Sequence, residues 1–159
     1  MVYPTLFILV EGNDDERFFA NVISPILLNR YDYVQIWTYR QETRRKLNSF
    51  LKSIDSMGAD YIFVSDIDDS PCVTSKKLAI TASIERLKSD RILVVKREIE
   101  SWYLAGLNDD CCEQIGISSK YGNTESHSKE RFLDLMPGKF NSKVDFMQEI
   151  LKLFHLEAV

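Results

Sequence analysis

Leu6-Phe7-Ile8-Leu9-Val10-Glu11-Gly12-Asn13-Asp14-Asp15 is the stretch that decides the fold of this chain. Five consecutive apolar residues predict a short strand buried on both faces. Gly12 and Asn13 end it. Asn13 is an N-cap type, and Glu16 three residues on completes a capping-box pattern. Phe18, Phe19, Val22, Ile23, Ile26 and Leu27 then recur at helical spacing, with Pro25 expected to kink that helix or end it early. Asp14, Asp15 and Glu16 are accounted for as first-turn acids that complement the helix dipole. Glu11 is not. It follows directly on a buried strand and is not needed as a cap, so it is the first candidate for a functional site. Gly12 is expected to turn the chain tightly and to let a phosphate approach the backbone.

Working outward, the pattern repeats. Tyr33 to Tyr39 is aromatic and β-branched and predicts a second strand. Leu47, Phe50, Leu51 and Ile54 line one face of a second helix, with Gly58 as its stop. Tyr61-Ile62-Phe63-Val64 predicts a third strand, Ser65 to Pro71 a polar loop, and about 73–89 a helix with Leu78, Ile84 and Leu87 inward. Ile92 to Val95 predicts a fourth strand. The alternation then stops. Glu98 to Leu104 reads as helix, 108–116 as a short acidic segment and 118–128 as an exposed loop. Val144, Met147, Ile150, Leu151 and Phe154 form an amphipathic C-terminal helix. Strands separated by helices argue for βαβ crossovers and a parallel sheet covered on both faces.

The chain has 159 residues, with 20 Lys and Arg against 24 Asp and Glu, hence a net charge of −4. One domain of that length buries roughly 70% of its unfolded surface and needs no disulfides. Hydrophobic residues at 45% and charged residues at 28% exclude disordered, collagen-like and coiled-coil classes. Bulk charge gives no sign of nucleic-acid binding, though a local basic face is compatible with it. No apolar run approaches the roughly 20 residues that span a bilayer, and no signal peptide is read. Three cysteines, two of them adjacent at Cys111 and Cys112, make a disulfide framework or zinc site a poor reading. The expected compartment is the cytoplasm and no membrane partner is expected.

In parallel α/β folds, ligands bind at the carboxyl ends of the strands. Strand one exits into Glu11 and Asp15, strand three into Asp66, Asp68 and Asp69, and strand four into Lys96, Arg97, Glu98 and Glu100. Clustered carboxylates raise one another's pKa unless a cation neutralises them. The hard, oxygen-seeking Mg²⁺ suits such a set, with Mn²⁺ as its substitute. Asp66 and Asp68, two apart in extended backbone, are expected to point the same way. Glu11 faces them if strands one and three are neighbours. Lys96 or Arg97 is expected to offset charge on a phosphate, with Lys139 and Lys143 as further candidates. Arg40, Arg44, Arg45 and Lys46 form the densest basic cluster, and Trp37 and Tyr39 beside it are suited to stacking on bases. Against each stands a bland reading as a solvated charge. His127 and His155 read as surface or packing residues, Trp102 as core, and Cys72 as a small buried filler.

An apolar strand running into Glu-Gly, with an acid soon after, and a later apolar strand running into Asp-x-Asp resemble the TOPRIM domain of topoisomerases, primases and OLD-type nucleases. Glu98-Ile99-Glu100-Ser101-Trp102 is similar to the Glu-x-Glu-x-Trp stretch of small stand-alone TOPRIM-like proteins, many tied to mobile-element and defence contexts. The resemblance implies a three-layer, Rossmann-like α/β fold with a four-stranded parallel sheet. It spans about residues 5–105 of one domain, and extra helices occupy about 106–159. It also implies a Mg²⁺ site in which Asp66 and Asp68 hold the ion and Glu11 serves as general acid/base or metal carboxylate. Asp15, Glu98 and Glu100 are additional acids. The activity implied is metal-dependent phosphodiester hydrolysis on nucleic acid, DNA in preference to RNA. No nucleophilic tyrosine is recognisable and no ATPase motif occurs, so an OLD-type ATPase would be a separate partner chain. The alternative is a catalytically silent accessory or binding module. Asp66-Ile67-Asp68 also resembles a haloacid-dehalogenase motif, but such a nucleophile normally follows the first strand, where this chain has Glu11. A receiver domain fits the fourth strand's acidic exit poorly.

Overall fold

The structure, a computed structural model, describes residues 3–96, 98–117 and 129–158. Its chain divides into two compact units, Met1–Lys96 and Arg97–Val159. Arg97, His127 and the 118–128 segment named above lie outside the described residues.

The first unit is the sheet. Its elements are β1 (Thr5–Val10), α1 (Asn13–Phe18), a π-helical turn (Phe19–Ile23), α2 (Ser24–Leu27), β2 (Tyr33–Thr38), α3 (Arg44–Met57), β3 (Asp60–Asp66), α4 (Val73–Ser83) and β4 (Ile92–Val95). All pairings are parallel and the strand order is β2-β1-β3-β4. β1 is interior, which is why its apolar run is unbroken: Leu6 to Val10 are all buried. β2, at the edge, alternates between exposed and half-buried positions.

From β1 the chain steps to one side for β2, then crosses back for β3 and onward to β4. With right-handed crossovers, these opposite steps place α1 on one face and α3 and α4 on the other. The second face is a continuous core. Phe7 and Leu9 of β1, Tyr61 and Phe63 of β3, and Leu47, Leu51 and Ile54 of α3 pack together there. This is the three-layer, Rossmann-like α/β arrangement the sequence predicts.

Several local expectations are corrected. Gly12, not Asn13, is the N-cap of α1, and Asp15 rather than Glu16 reaches back, its Oδ2 accepting from the Gly12 N–H at 3.2 Å. Gly12 sits at φ −148° in ordinary extended backbone, so the turn does not require glycine there. Pro25 lies in the first turn of α2, directly after the π turn. Its missing N–H is thus absorbed by a bulge in the preceding helix rather than by a break.

Helix α3 ends at Gly58 in the left-handed region (φ 65°), as expected of a glycine stop. Helix α4 ends at Ser83, not near residue 89, because Ile84 turns extended (φ −127°, ψ 96°). Ile84 and Leu87 are buried, but Leu78 is 65% exposed. It stands about 200° around the helix from Ile80, which packs on the sheet. Cys72 is exposed and caps α4, its Sγ accepting from the Ser75 N–H at 3.4 Å.

The second unit is helical, with α5 (Ile99–Ala105), α6 (Asp109–Ile115), α7 (Lys129–Leu135) and α8 (Lys143–Lys152). Its core gathers Tyr103, Leu104, Phe132, Phe146, Met147 and Ile150, all fully buried. Phe146 is the ring at its centre, with centroids 5.0 Å from Phe132 and 5.2 Å from Phe140. Trp102 is half-buried rather than core, and Val144 is exposed because the buried stripe of α8 runs through Phe146, Met147 and Ile150. His155 is exposed, as expected. No helix among the described residues is long and apolar enough to cross a membrane.

Candidate functional site

The order β2-β1-β3-β4 has its switch point between β1 and β3, where the chain leaves in opposite directions. The crevice beyond the carboxyl ends of such strands is the usual ligand position of an open α/β sheet. Glu11 follows β1 and Asp66 ends β3, and the two strands are direct neighbours, paired up to Leu9 and Phe63. The neighbouring strands therefore bring Glu11 and Asp66 to the same edge of the sheet. Asp66 is half-buried, with its Oδ1 shielded from solvent. Asp15, in the first turn of α1, is buried.

Tyr39 lies next to Glu11 along the extended β1–β2 ladder. The ladder continues past the strand ends, with the Tyr39 N–H donating to the Val10 carbonyl at 2.9 Å and the Arg40 N–H to that of Glu11 at 3.1 Å. The Tyr39 hydroxyl crosses over β1 and donates to the Val64 carbonyl at 2.5 Å. Burial pushes its pKa far above the ordinary phenol value. The field of Glu11 pushes the same way, with smaller pushes from Asp15 and Asp66, and a hydrogen bond with Ser65 offsets part of this. A phenol so held stays protonated. Its ring stacks on Phe63 at 4.4 Å, and Trp37 packs on Phe50 at 4.3 Å. Both aromatics are half-buried and pack against the core.

Asp68 differs from Asp66. The expectation that they point the same way needed extended backbone through both, but β3 stops at Asp66 and Asp68 is left-handed (φ 49°). Its side chain is 60% exposed and its Oδ2 accepts from Lys76 Nζ at 2.7 Å. Asp is among the few L-residues that tolerate this region. Asp68→Val should therefore cost about 1–2 kcal/mol of stability, while Asp68→Gly should change it by less than about 0.5 kcal/mol. Paired urea titrations check this, and equal losses would contradict the backbone argument.

The basic residues distribute unevenly. Arg40 Nη2 lies 3.5 Å from Glu11 Oε1. Lys46 pairs with Glu42 at 2.7 Å. Arg44 and Arg45 are exposed in the first turn of α3, and Lys96 is exposed just past β4. A polar cleft of about 430 Å³ beside Glu11 is lined by Gly12, Asn13, Thr38, Arg40, Gln41 and Glu42, the last paired with Lys46.

In the helical unit the predicted site residues Glu98, Glu100, Lys139 and Lys143 all have partners within that unit. Lys143 Nζ donates to Glu100 Oε1 at 2.5 Å, with both side chains largely buried. Glu98 Oε2 accepts from the Lys129 N–H. Lys139 Nζ donates to the Gln114 carbonyl at 3.3 Å and lies 5.4 Å from the centre of the Phe140 ring.

Sequence reasoning missed the Tyr39 hydroxyl bond to the Val64 carbonyl, which joins residues 25 apart across β1. It also missed Lys76 as the partner of Asp68, which lies eight residues on in α4 and was legible only once the start of that helix and the turn before it were known. Among the described residues, no three His, Cys, Asp or Glu side chains gather closely enough to hold a metal ion between them. The donors at the switch point are all carboxylate oxygens. That chemistry fits a hard cation held by one or two carboxylates with the remainder as water, the habit of Mg²⁺.

The chain matches no family model and no curated protein sequence. It is similar in structure to the C-terminal region of the Burkholderia pseudomallei OLD protein, over 100% of this chain and 92% of that chain, at 16% identity and a TM-score of 0.50. At that identity the likeness is one of fold. It places the α/β architecture with an OLD-type C-terminal region, one of the groups to which the sequence motifs pointed.

Proposed function

We propose that this chain carries a Mg²⁺-dependent, TOPRIM-type acidic site for phosphodiester hydrolysis on nucleic acid, with DNA favoured as substrate. The observation that supports it is the exit of Glu11 and Asp66 from neighbouring strands at the switch point, with Asp15 buried beside the first turn. Asp66 would hold the cation, with Asp68 and Glu11 contributing. When bound, the ion polarises a phosphoryl oxygen. Glu11 positions a water and accepts its proton. Arg40 and Lys96 offset charge at the phosphate, and Arg44 and Arg45 steer the nucleic-acid backbone. The fold likeness to an OLD C-terminal region is in keeping with this reading.

A second reading is favoured by the ion pairs. Glu11 already has Arg40 and Asp68 already has Lys76 as counter-charges. An accessory module would keep such neutralised acids and work beside a partner such as an ATPase, binding without turnover.

Titrating Mg²⁺ and Mn²⁺ calorimetrically into wild type and Asp66→Ala/Asp68→Ala, with nicking of supercoiled plasmid on the same samples, separates the two. Binding and nicking in wild type only are expected for the hydrolase. Binding without nicking supports the module. Identical behaviour of two folded proteins would overturn the acidic site.

A further inference from the structure

We propose that Arg40 is the resident counter-ion of Glu11 and changes partner, from that carboxylate to a substrate phosphodiester, when a divalent cation arrives at Glu11. The inference rests on the cation-site reading of Glu11 given above and adds to it how the site changes charge.

Three features carry it. First, Arg40 cannot leave. Its backbone N–H donates to the Glu11 carbonyl at 3.1 Å, one step past the β1–β2 ladder, so its side chain always starts beside that residue. Second, the ion pair is loose. One nitrogen meets one oxygen at 3.5 Å, with the Arg40 side chain 68% exposed and that of Glu11 30% exposed. Exposed pairs of this kind contribute little, and an arriving dication easily outweighs them. Third, the guanidinium lies over Gly12, its Cζ 3.6 Å from where a Cβ would stand, at the wall of the polar cleft. It therefore needs only to turn away from Glu11 to face that cleft. There its planar fork matches a phosphodiester's oxygens, which a second carboxylate-bound cation would not.

The two events are coupled. While Arg40 is on Glu11 it opposes the cation by charge and occupies the oxygen. Once the cation is bound, two positive charges beside one carboxylate repel, and Arg40 is released toward an anion.

Calorimetric titration of Mn²⁺ into wild type, Arg40→Gln, Glu11→Gln and Lys52→Gln tests the first half. Lys52 is an exposed lysine on α3 that controls for net charge. Arg40→Gln should bind Mn²⁺ about two- to fivefold tighter than wild type, the fold-change corresponding to loss of an exposed pair. Lys52→Gln should match wild type and Glu11→Gln should bind weakly. Unchanged or weaker binding by Arg40→Gln, or equal tightening by Lys52→Gln, overturns the counter-ion role and leaves the cation site standing. Wild-type affinity in Glu11→Gln, or no Mn²⁺ binding by any of the proteins, overturns both. The second half is read with a fluorescent single-stranded oligonucleotide. Arg40→Gln should weaken its binding more in Ca²⁺ than in EDTA, and equal weakening in the two buffers would refute the change of partner.

Discussion

Lys143→Met is expected to lower the unfolding free energy by about 3 kcal/mol, the low end of the range for removing one partner of a buried ion pair. The ammonium donates to Glu100 at 2.5 Å, and the side chains retain 18% and 5% of their exposure. Methionine keeps the length and volume of the lysine stem, so packing against the α5–α8 core is largely preserved. What it leaves is a buried carboxylate, 4% exposed, without its counter-charge. Most of the cost therefore comes from Glu100, not from the lost attraction. Two consequences separate this from a simple packing defect. Glu100→Gln added to Lys143→Met should recover more than half of the loss, whereas two unrelated defects would add. The effect should also hold in 1 M salt, because a buried pair is poorly screened. Urea unfolding followed by Trp102 fluorescence, in a Trp37→Phe background so that a single indole reports, gives all three numbers. Additive losses, or a deficit that salt abolishes, would show that the pair is a surface contact energetically.

That pair also shows where sequence reading stops. Glu100 and Lys143 were each legible as site candidates, from an acidic strand exit and from a lysine in the C-terminal segment. Nothing in a linear pattern says that residues 43 apart in the chain neutralise each other. The sheet was far more legible, because it is written in hydrophobicity. An interior parallel strand must be apolar on both faces, so Leu6 to Val10 and Tyr61 to Val64 announced β1 and β3. The polar residues that interrupt them, Glu11 and Asp66, announced its carboxyl edge. Strand order completed the argument by making β1 and β3 neighbours.

Local backbone state was the weak point. Capping chemistry pointed to Asn13 where Gly12 serves, an error of one residue that also exchanged Asp15 for Glu16 as the returning side chain. The Asp66–Asp68 spacing was read with a two-residue period that holds only inside a strand. One left-handed residue ended that period. The frequent burial of cysteine favours a filler reading of Cys72, but its position before α4 makes it a cap.

The same left-handed residue divides the catalytic expectation between the two aspartates. If the proposed hydrolysis is correct, Asp66→Asn should reduce plasmid nicking by about 100-fold or more, since even outer-sphere partners of a metal ligand are worth about 10–100-fold. Asp68→Asn should reduce it by less than about tenfold. Asp66 is fixed by the end of β3, beside the Glu11 strand, with its Oδ1 shielded from solvent. Asp68 is reached through a turn, is largely exposed, and is engaged by Lys76. An asparagine at 68 keeps that lysine contact as a neutral hydrogen bond and keeps the tolerance for φ 49°. An asparagine at 66 keeps shape but removes the negative charge that a cation needs, so metal affinity and rate should fall together. Thermal melts must first show both variants folded. Equal, large losses would mean that the 67–72 turn reorganises around the bound ion and brings Asp68 in as a full partner. Wild-type nicking by folded Asp66→Asn would remove β3 from the chemistry altogether, leaving Glu11 and Asp15 beside α1 as the acids to test next.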